Sequence, residues 1–185
     1  MTPTEEGPEF VRPRQRHEGT IHLAEHDPTW AVVFAEQAAL IREALGERAV
    51  AVEHAGSTSV PGLAAKPIID IVLVVEDPTD EASYVPALEA AGFPFHVREP
   101  GWHQHRFFKR STPAVNLHVF GAGSVEVQRM LAFRDRLRSH PEELELYERC
   151  KRELAARQWE YVQDYADAKS EVVEDILTRA LGRQA

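Results

Sequence analysis

The sequence predicts an α/β (α+β) domain: a mixed β-sheet with flanking helices, followed by a helical C-terminal part. Three observations carry that prediction. Ile68 to Val75 is almost continuously apolar and β-branched, the pattern of a strand buried on both faces, and it is interrupted by one charge, Asp70. Residues 105–120 hold two strand-like runs around a short Ser111-Thr112-Pro113 turn, which predicts an antiparallel hairpin. Glu142 to Leu181 contains neither glycine nor proline. One helix of that length would run about 60 Å, yet a compact chain of this size is only about 40 Å across. Two helices are therefore expected there, broken between Ala156 and Asp164.

Length and composition narrow the function classes. A chain of 185 residues suits one domain with a sizeable core, and 43% hydrophobic with 28% charged residues is ordinary for a globular protein. No apolar run approaches the roughly 18 residues of a membrane span. Met1 to Gly19 is polar and has no apolar signal core, so no membrane contact and a cytoplasmic location are expected. The single cysteine, Cys150, excludes an internal disulfide and a multi-cysteine zinc site, and reads as a packed or half-exposed thiol. A net charge of −9 argues against general nucleic-acid binding, but leaves room for a local basic pocket that takes a small anion.

Taken in order, residues 1–18 read as a flexible N-terminal arm, and 19–185 as one domain that is mainly helical over 124–182. Thr20-Ile21-His22-Leu23 alternates like an edge strand. Asp27 and Pro28 open a helix whose apolar stripe is Trp30, Phe34, Ile41 and Leu45, and Gly46 stops it. Ala49 to Glu53 forms a short strand before the Ile68–Val75 strand. A helix over roughly 81–91 has to start late because of Pro86, and Phe93 to Val97 forms another strand. In the hairpin, Asn116 and His118 share one face, with Val115, Leu117 and Val119 on the other. Ser124 caps a helix running to about Arg138. Leu144, Tyr147 and Leu154 mark the first C-terminal stripe; Tyr165, Val172, Ile176 and Leu177 mark the second.

The chemistry concentrates between His54 and Asp70. The loop holds Gly56, Ser57, Thr58, Ser59 and Gly62 and closes with Lys66. Small residues allow close backbone approach, hydroxyls donate hydrogen bonds, and a lysine adds a point charge, which together suit a phosphate group. An ionised Asp70 inside an apolar strand demands a cation, a metal or several donors. This spacing resembles the nucleotidyltransferase superfold, in which a Gly-Ser pair at a helix start precedes a strand with two metal-binding carboxylates at alternate positions. Gly56-Ser57 and Asp70 match; the second acid position is Val72.

Further motifs name a family. His26-Asp27-Pro28-x-Trp30, His54-x-Gly-Ser-Thr-x-Val-Pro-Gly-Leu-x-Ala-Lys-Pro-Ile-Ile-Asp70, Leu117-His118-Val119, Phe133-Arg134-Asp135-x-Leu137-Arg138, Tyr147-x-x-x-Lys151 and Tyr165-x-x-x-Lys169 together resemble the GrpB family over about residues 20–181. The resemblance implies a nucleotidyltransferase-like fold with Asp70 where that fold's first metal carboxylate lies. It also implies a kinship to the domain fused behind dephospho-coenzyme-A kinase, described as an accessory to folding.

The expected catalytic residues are Asp70, which would also hold Mg²⁺ or Mn²⁺, and His118, which falls on the strand that usually offers a third acid and would act as base or ligand. Gly56, Ser57, Thr58, Lys66 and Arg106 are the expected substrate contacts, with backbone N–H groups after Gly56 cradling an anion. Each also has a plainer reading: a satisfied buried acid, a core histidine, a structural turn. Glu53 and His54 end the preceding strand beside the loop. A convergence of Lys66, Arg106, Lys109, Arg134, Arg138, Lys151 and Lys169 would mark an anion pocket; singly, the last five read as solvated charges or helix-surface ion pairs, and Arg134, Asp135 and Arg138 equally as a structural network. The pair His103 and His105 reads as a surface feature rather than as metal ligands, and Tyr147/Lys151 and Tyr165/Lys169 as packing with a charged rim. The expected ligand is a phosphate-bearing small molecule or nucleotide, in a binding module or a metal-dependent nucleotidyltransferase. The alternative is a non-catalytic accessory or scaffolding domain with a protein partner.

Overall fold

The computed structural model describes residues 7–13 and 19–182. Six strands, β1 (Glu9–Phe10), β2 (Ala51–Ala55), β3 (Ile69–Val75), β4 (Phe95–Glu99), β5 (His105–Ser111) and β6 (Ala114–Gly121), form one sheet in the order β1-β4-β5-β6-β3-β2. β3 and β6 run parallel, and the other neighbours antiparallel. Six helices flank it: α1 (Thr29–Leu45), α2 (Val85–Ala90), α3 (Val125–Ser139), α4 (Pro141–Ala155), α5 (Val162–Asp167) and α6 (Ser170–Ala180). The mixed α/β expectation is met. None of the described helices is long and apolar enough to cross a membrane.

Strand alternation divides the molecule into layers. Ile69, Ile71, Leu73 and Val75 of β3, with Val115, Leu117 and Val119 of β6, face the main core, where Trp30, Ile41 and Leu45 of α1 and Leu88 of α2 pack. Asp27 Oδ1 accepts the Thr29 amide (2.8 Å) at the start of α1. At its end Gly46, with φ of 58°, donates its amide to the Arg42 carbonyl. On the opposite face Val72, Val74 and Phe120 meet Val127 and Met130 of α3. Further along that face the 56–66 loop is clamped by the C-terminal helices, with Val60 and Leu63 packed among Leu137, Tyr147 and Ile176.

Three local expectations change. Thr20 to Leu23 forms no strand: the Ile21 amide donates to the Ala155 carbonyl (3.1 Å), and its side chain packs with Leu154 and Tyr165, so this segment belongs to the helical layer. The sheet edge is taken instead by Glu9–Phe10 paired with β4; the rest of the expected arm at residues 1–6 and 14–18 lies outside the described residues. The C-terminal run breaks after Ala155, as expected, but also at Ala168-Lys169, where Lys169 lies over the Tyr165 ring (4.3 Å to its centroid). Ser124 precedes α3 without a side-chain cap bond.

Ile71 is fully buried at the centre of the sheet, so Ile71→Ala should lower unfolding stability by about 2–5 kcal/mol, measured by urea denaturation. Val32→Ala, on the exposed side of α1, should change it by less than about 0.5 kcal/mol.

Candidate functional site

The sheet register sets the site out in rows on the face opposite the main core. Across β5, β6, β3 and β2 one row reads Lys109, Asn116, Asp70 and Ala55; the next reads Phe107, His118, Val72 and Glu53. The Asn116 side-chain amide donates to Asp70 Oδ1 (2.9 Å), and His118 Nε2 stands 3.8 Å from the same oxygen. Burial alone would push the Asp70 carboxyl up, but His118, the Asn116 hydrogen bond and the Lys66 charge outweigh it and hold it below the usual value. Asp70 is therefore a half-buried carboxylate kept ionised.

The 56–66 loop presses against it. Gly56 adopts φ 66° and ψ −174°, a region open essentially to glycine alone. A Cβ there would sit 2.3 Å from Asp70 Oδ2 and 2.9 Å from its Cβ. Ser57–Ser59 makes one turn of 3₁₀ helix rather than the start of a longer helix. Its Ser59 and Val60 amides donate to the Gly56 and Ser57 carbonyls (both 3.2 Å), so these two do not join an anion cradle. Thr58, 2% exposed, donates its hydroxyl to the Ile68 carbonyl (3.3 Å) and accepts from His54 Nε2 (3.1 Å). It ties the loop to β3 and β2 and has no hydroxyl proton left for a ligand. Ser57 is half-buried and lies beside Tyr147 of α4.

Three lysines lie within electrostatic reach of this acid. Lys151 of α4 is 2% exposed, donates to the Ala64 carbonyl and lies over the Tyr147 ring (5.3 Å). Burial, then the neighbouring Lys169 charge, pulls its ammonium down to about 7. Lys169 is pulled down to about 8 by burial and by Lys66. Lys66 is lowered by burial, against the opposing pull of Asp70, and lies 5.7 Å from the Tyr165 ring centroid. All three ammonium groups feel Asp70. Among the described residues, none of Lys66, Lys109, Lys151 and Lys169 is ion-paired with a carboxylate.

The structure thus brings Asp70, His118, Gly56, Ser57 and Lys66 together and separates Arg106 from them. Arg106 points to the other face of β5, 4% exposed, where its guanidinium pairs with Glu81 (2.6 Å) beside Arg98. Its charge is spent holding the Glu81–Ser83 turn to the sheet. Arg134 and Arg138 form the structural network: Arg134 bonds Glu53, the His54 carbonyl and Asp135, and Arg138 donates twice to the Ser59 carbonyl (3.0 and 2.7 Å). His103 and His105 do not share a face, because His103 and Gln104 take left-handed φ values of 52° and 51° and β5 starts at His105. His105 is 3% exposed, so the surface reading fails for it. Cys150 is half-buried and its thiol is raised by burial, the inert behaviour expected.

The sequence profile of the GrpB protein family matches residues 20–179. The chain belongs to the GrpB family. It is 52% identical over 164 residues to a UPF0157 protein of Halalkalibacterium halodurans, covering 89% of this chain and 84% of that one. Its fold is similar to the crystal structure of the conserved protein GrpB from Enterococcus faecalis, with a TM-score of 0.72 and 29% identity over 88% of this chain and 98% of that one. A more distant similarity, 28% identical, joins 90% of this chain to 47% of a dephospho-CoA kinase from Mycolicibacterium paratuberculosis.

The expected Mg²⁺ or Mn²⁺ meets a poor donor set in this GrpB protein. Asp70 is the one carboxylate of its row; Val72, fully buried, fills the next same-face position on β3, and β6 supplies Asn116 and His118. Among the described residues no three His, Cys, Asp or Glu side chains are placed to share an ion. The lysines already supply the positive charge that a metal would bring. A two-metal centre does not fit these residues.

The sequence favours Lys66 and Arg106 over Lys151 and Lys169, which the structure sets within electrostatic reach of Asp70. The signal for the latter pair was the repeated Tyr-x-x-x-Lys spacing: in both copies the lysine folds back onto its own tyrosine ring.

Two outcomes follow from this geometry. Gly56→Ala combines a disfavoured backbone with a steric clash against Asp70 and should cost at least about 1–3 kcal/mol in unfolding measurements. His54 and His105 are both lowered to about 4, burial being the first cause. Each is neutral when folded and takes up a proton on unfolding below about 6.5. Stability should therefore fall as pH drops from 6.5 toward 4, by up to about 1.4 kcal/mol per pH unit for each histidine. His105→Gln should flatten that slope in denaturant titrations between pH 6.5 and 5.

Proposed function

We propose that this GrpB protein binds a phosphate-bearing small molecule, a nucleotide, beside Asp70 with Lys66, Lys151 and Lys169 as its cations. The observation that carries this reading is the gathering of these lysines, unpaired with any described carboxylate, around one acid in a chain of net charge −9. Holding ammonium groups together in partial burial is costly, and their lowered pKa values express that cost. A bound polyanion offsets it by supplying the missing counter-charge, and Gly56-Ser57 lets the ligand approach the backbone closely. Binding carries the proposal; nucleotidyl transfer through a metal pair would require the acid that Val72 replaces. The partial match to a dephospho-CoA kinase favours a second reading, an accessory or scaffolding domain whose partner is a protein.

Thermal unfolding against pyrophosphate and adenosine triphosphate, each with EDTA or Mg²⁺, separates the two. A ligand at 100 times its Kd adds about 2.7 kcal/mol, and a chain of this size gains roughly 2–4 °C per kcal/mol. The expected result is a rise of several degrees that survives EDTA and is lost in Lys169→Met. No rise with either ligand at millimolar concentration favours the accessory reading.

Binding should also depend on pH with a fixed sign. The bound anion favours charged lysines, so complex formation takes up protons where Lys151 and Lys169 titrate, at about 7 and about 8. Affinity for pyrophosphate should fall between pH 6.5 and 9, followed by calorimetry in two buffers of different ionisation enthalpy. A flat profile would remove the lysines from the binding step.

A further inference from the structure

The polar face of the sheet does not end at Asp70. His105, Phe107 and Lys109 alternate along β5 and share that face, two strands away from the acid. At the start of β5 the face is closed, where His105, 3% exposed, packs against Trp102 and Phe120. Further along it opens. Phe107, Lys109, Asn116, His118 and Asp70 are all partly exposed, whereas Phe108, Val115, Leu117 and Val119 on the core side are fully buried.

Lys109 stands opposite Asn116, in the row that holds Asp70, and has no carboxylate partner among the described residues. Its charge reaches Lys66, whose ammonium is lowered by burial and, against the pull of Asp70, by Lys109. The two cations thus approach the Asp70–Asn116 row from the loop and from β5. Phe107 occupies the next row, opposite His118 on β6 and Val97 on β4. Its ring centroid lies 5.2 Å from that of His118 and 6.5 Å from that of His96.

A partly exposed aromatic ring offers a ligand a flat apolar surface, here edged by two imidazoles. The rows are two residues apart along the strands, roughly 7 Å, a gap that a pentose can span between a phosphate and a ring. An aliphatic tail on Phe107 would press hydrocarbon against the polar edges of both imidazoles, which is unfavourable. A heteroaromatic base carries its own donors and acceptors at its edge. We propose that β5 is the second wall of the ligand site, with Lys109 helping to hold the phosphates and Phe107 as the platform on which a planar base stacks. The inference rests on the phosphate reading above and adds to it where the other end of the ligand lies.

Calorimetry on the full chain tests it by comparing adenosine triphosphate with inorganic triphosphate, which has the three phosphoryl groups and no ring. Adenosine triphosphate should bind tighter by roughly five- to a hundredfold, the range of base–aromatic stacking. Phe107→Leu keeps apolar bulk but has no π-face: it should abolish that preference and leave inorganic triphosphate affinity unchanged. Phe107→Tyr should retain the preference. Lys109→Met should weaken both ligands alike, roughly tenfold. Equal affinity for the two ligands, or a preference that survives Phe107→Leu, overturns the platform. Unchanged affinities in Lys109→Met overturn the role of that lysine. If the platform fails while Lys169→Met still weakens inorganic triphosphate, the phosphate reading stands without it. If neither ligand binds the wild-type chain, both readings fall.

Discussion

An ionised carboxylate near the start of an apolar strand is the constraint that shapes this molecule. Burying a lone charge is prohibitively costly, so the surroundings of Asp70 have to answer it. Asn116 answers with a hydrogen bond from the adjacent parallel strand, His118 from one row further along, and Lys66 from the end of the loop. The loop can lie this close only because position 56 has no side chain. The C-terminal helices close over the same spot and bring Lys151 and Lys169 with them. The positive charge gathered there goes beyond what one acid needs, and that surplus is the physical basis for reading the site as an anion receptor.

The two faces of the sheet have separate tasks. One side is an aliphatic and aromatic core with α1 and α2, and its arginines, Arg98 and Arg106, are paired around Glu81 at the rim. The other side carries polar groups in register and is covered by helices that supply cations. Because β3 alternates strictly, a single strand contributes Ile69, Ile71 and Leu73 to the first and Asp70 to the second. Stability and site chemistry are thereby built from one element without competing for positions.

How much of this could be read from the sequence depended on the range of the signal. The β3 run, the α1 stripe between Asp27 and Gly46, and the hairpin with Asn116 and His118 on one face are local patterns, and each forms as expected. Asp70, Gly56 and Lys66 were legible because they sit within fifteen residues of one another around a single turn. Arg106 was misplaced because its face follows from the β5–β6 register, which pairs it with Val119 and turns it to the core side, where Glu81 holds it. Lys151 and Lys169 look like surface charges in a helical wheel. Only the packing of α4 against the 56–66 loop, and the unforeseen break at Lys169, turns them inward. The Thr20–Leu23 alternation was outcompeted by apolar burial of Ile21 against α4 and α5.

The most direct test of the central claim is a titration of carbon-13-labelled lysine side chains by NMR from pH 5 to 11, with and without pyrophosphate. The account predicts two lysines, Lys151 and Lys169, titrating at about 7 and about 8 in the free protein and moving upward when pyrophosphate is present. Every lysine titrating near the ordinary value of about 10.4, unmoved by the anion, would contradict it.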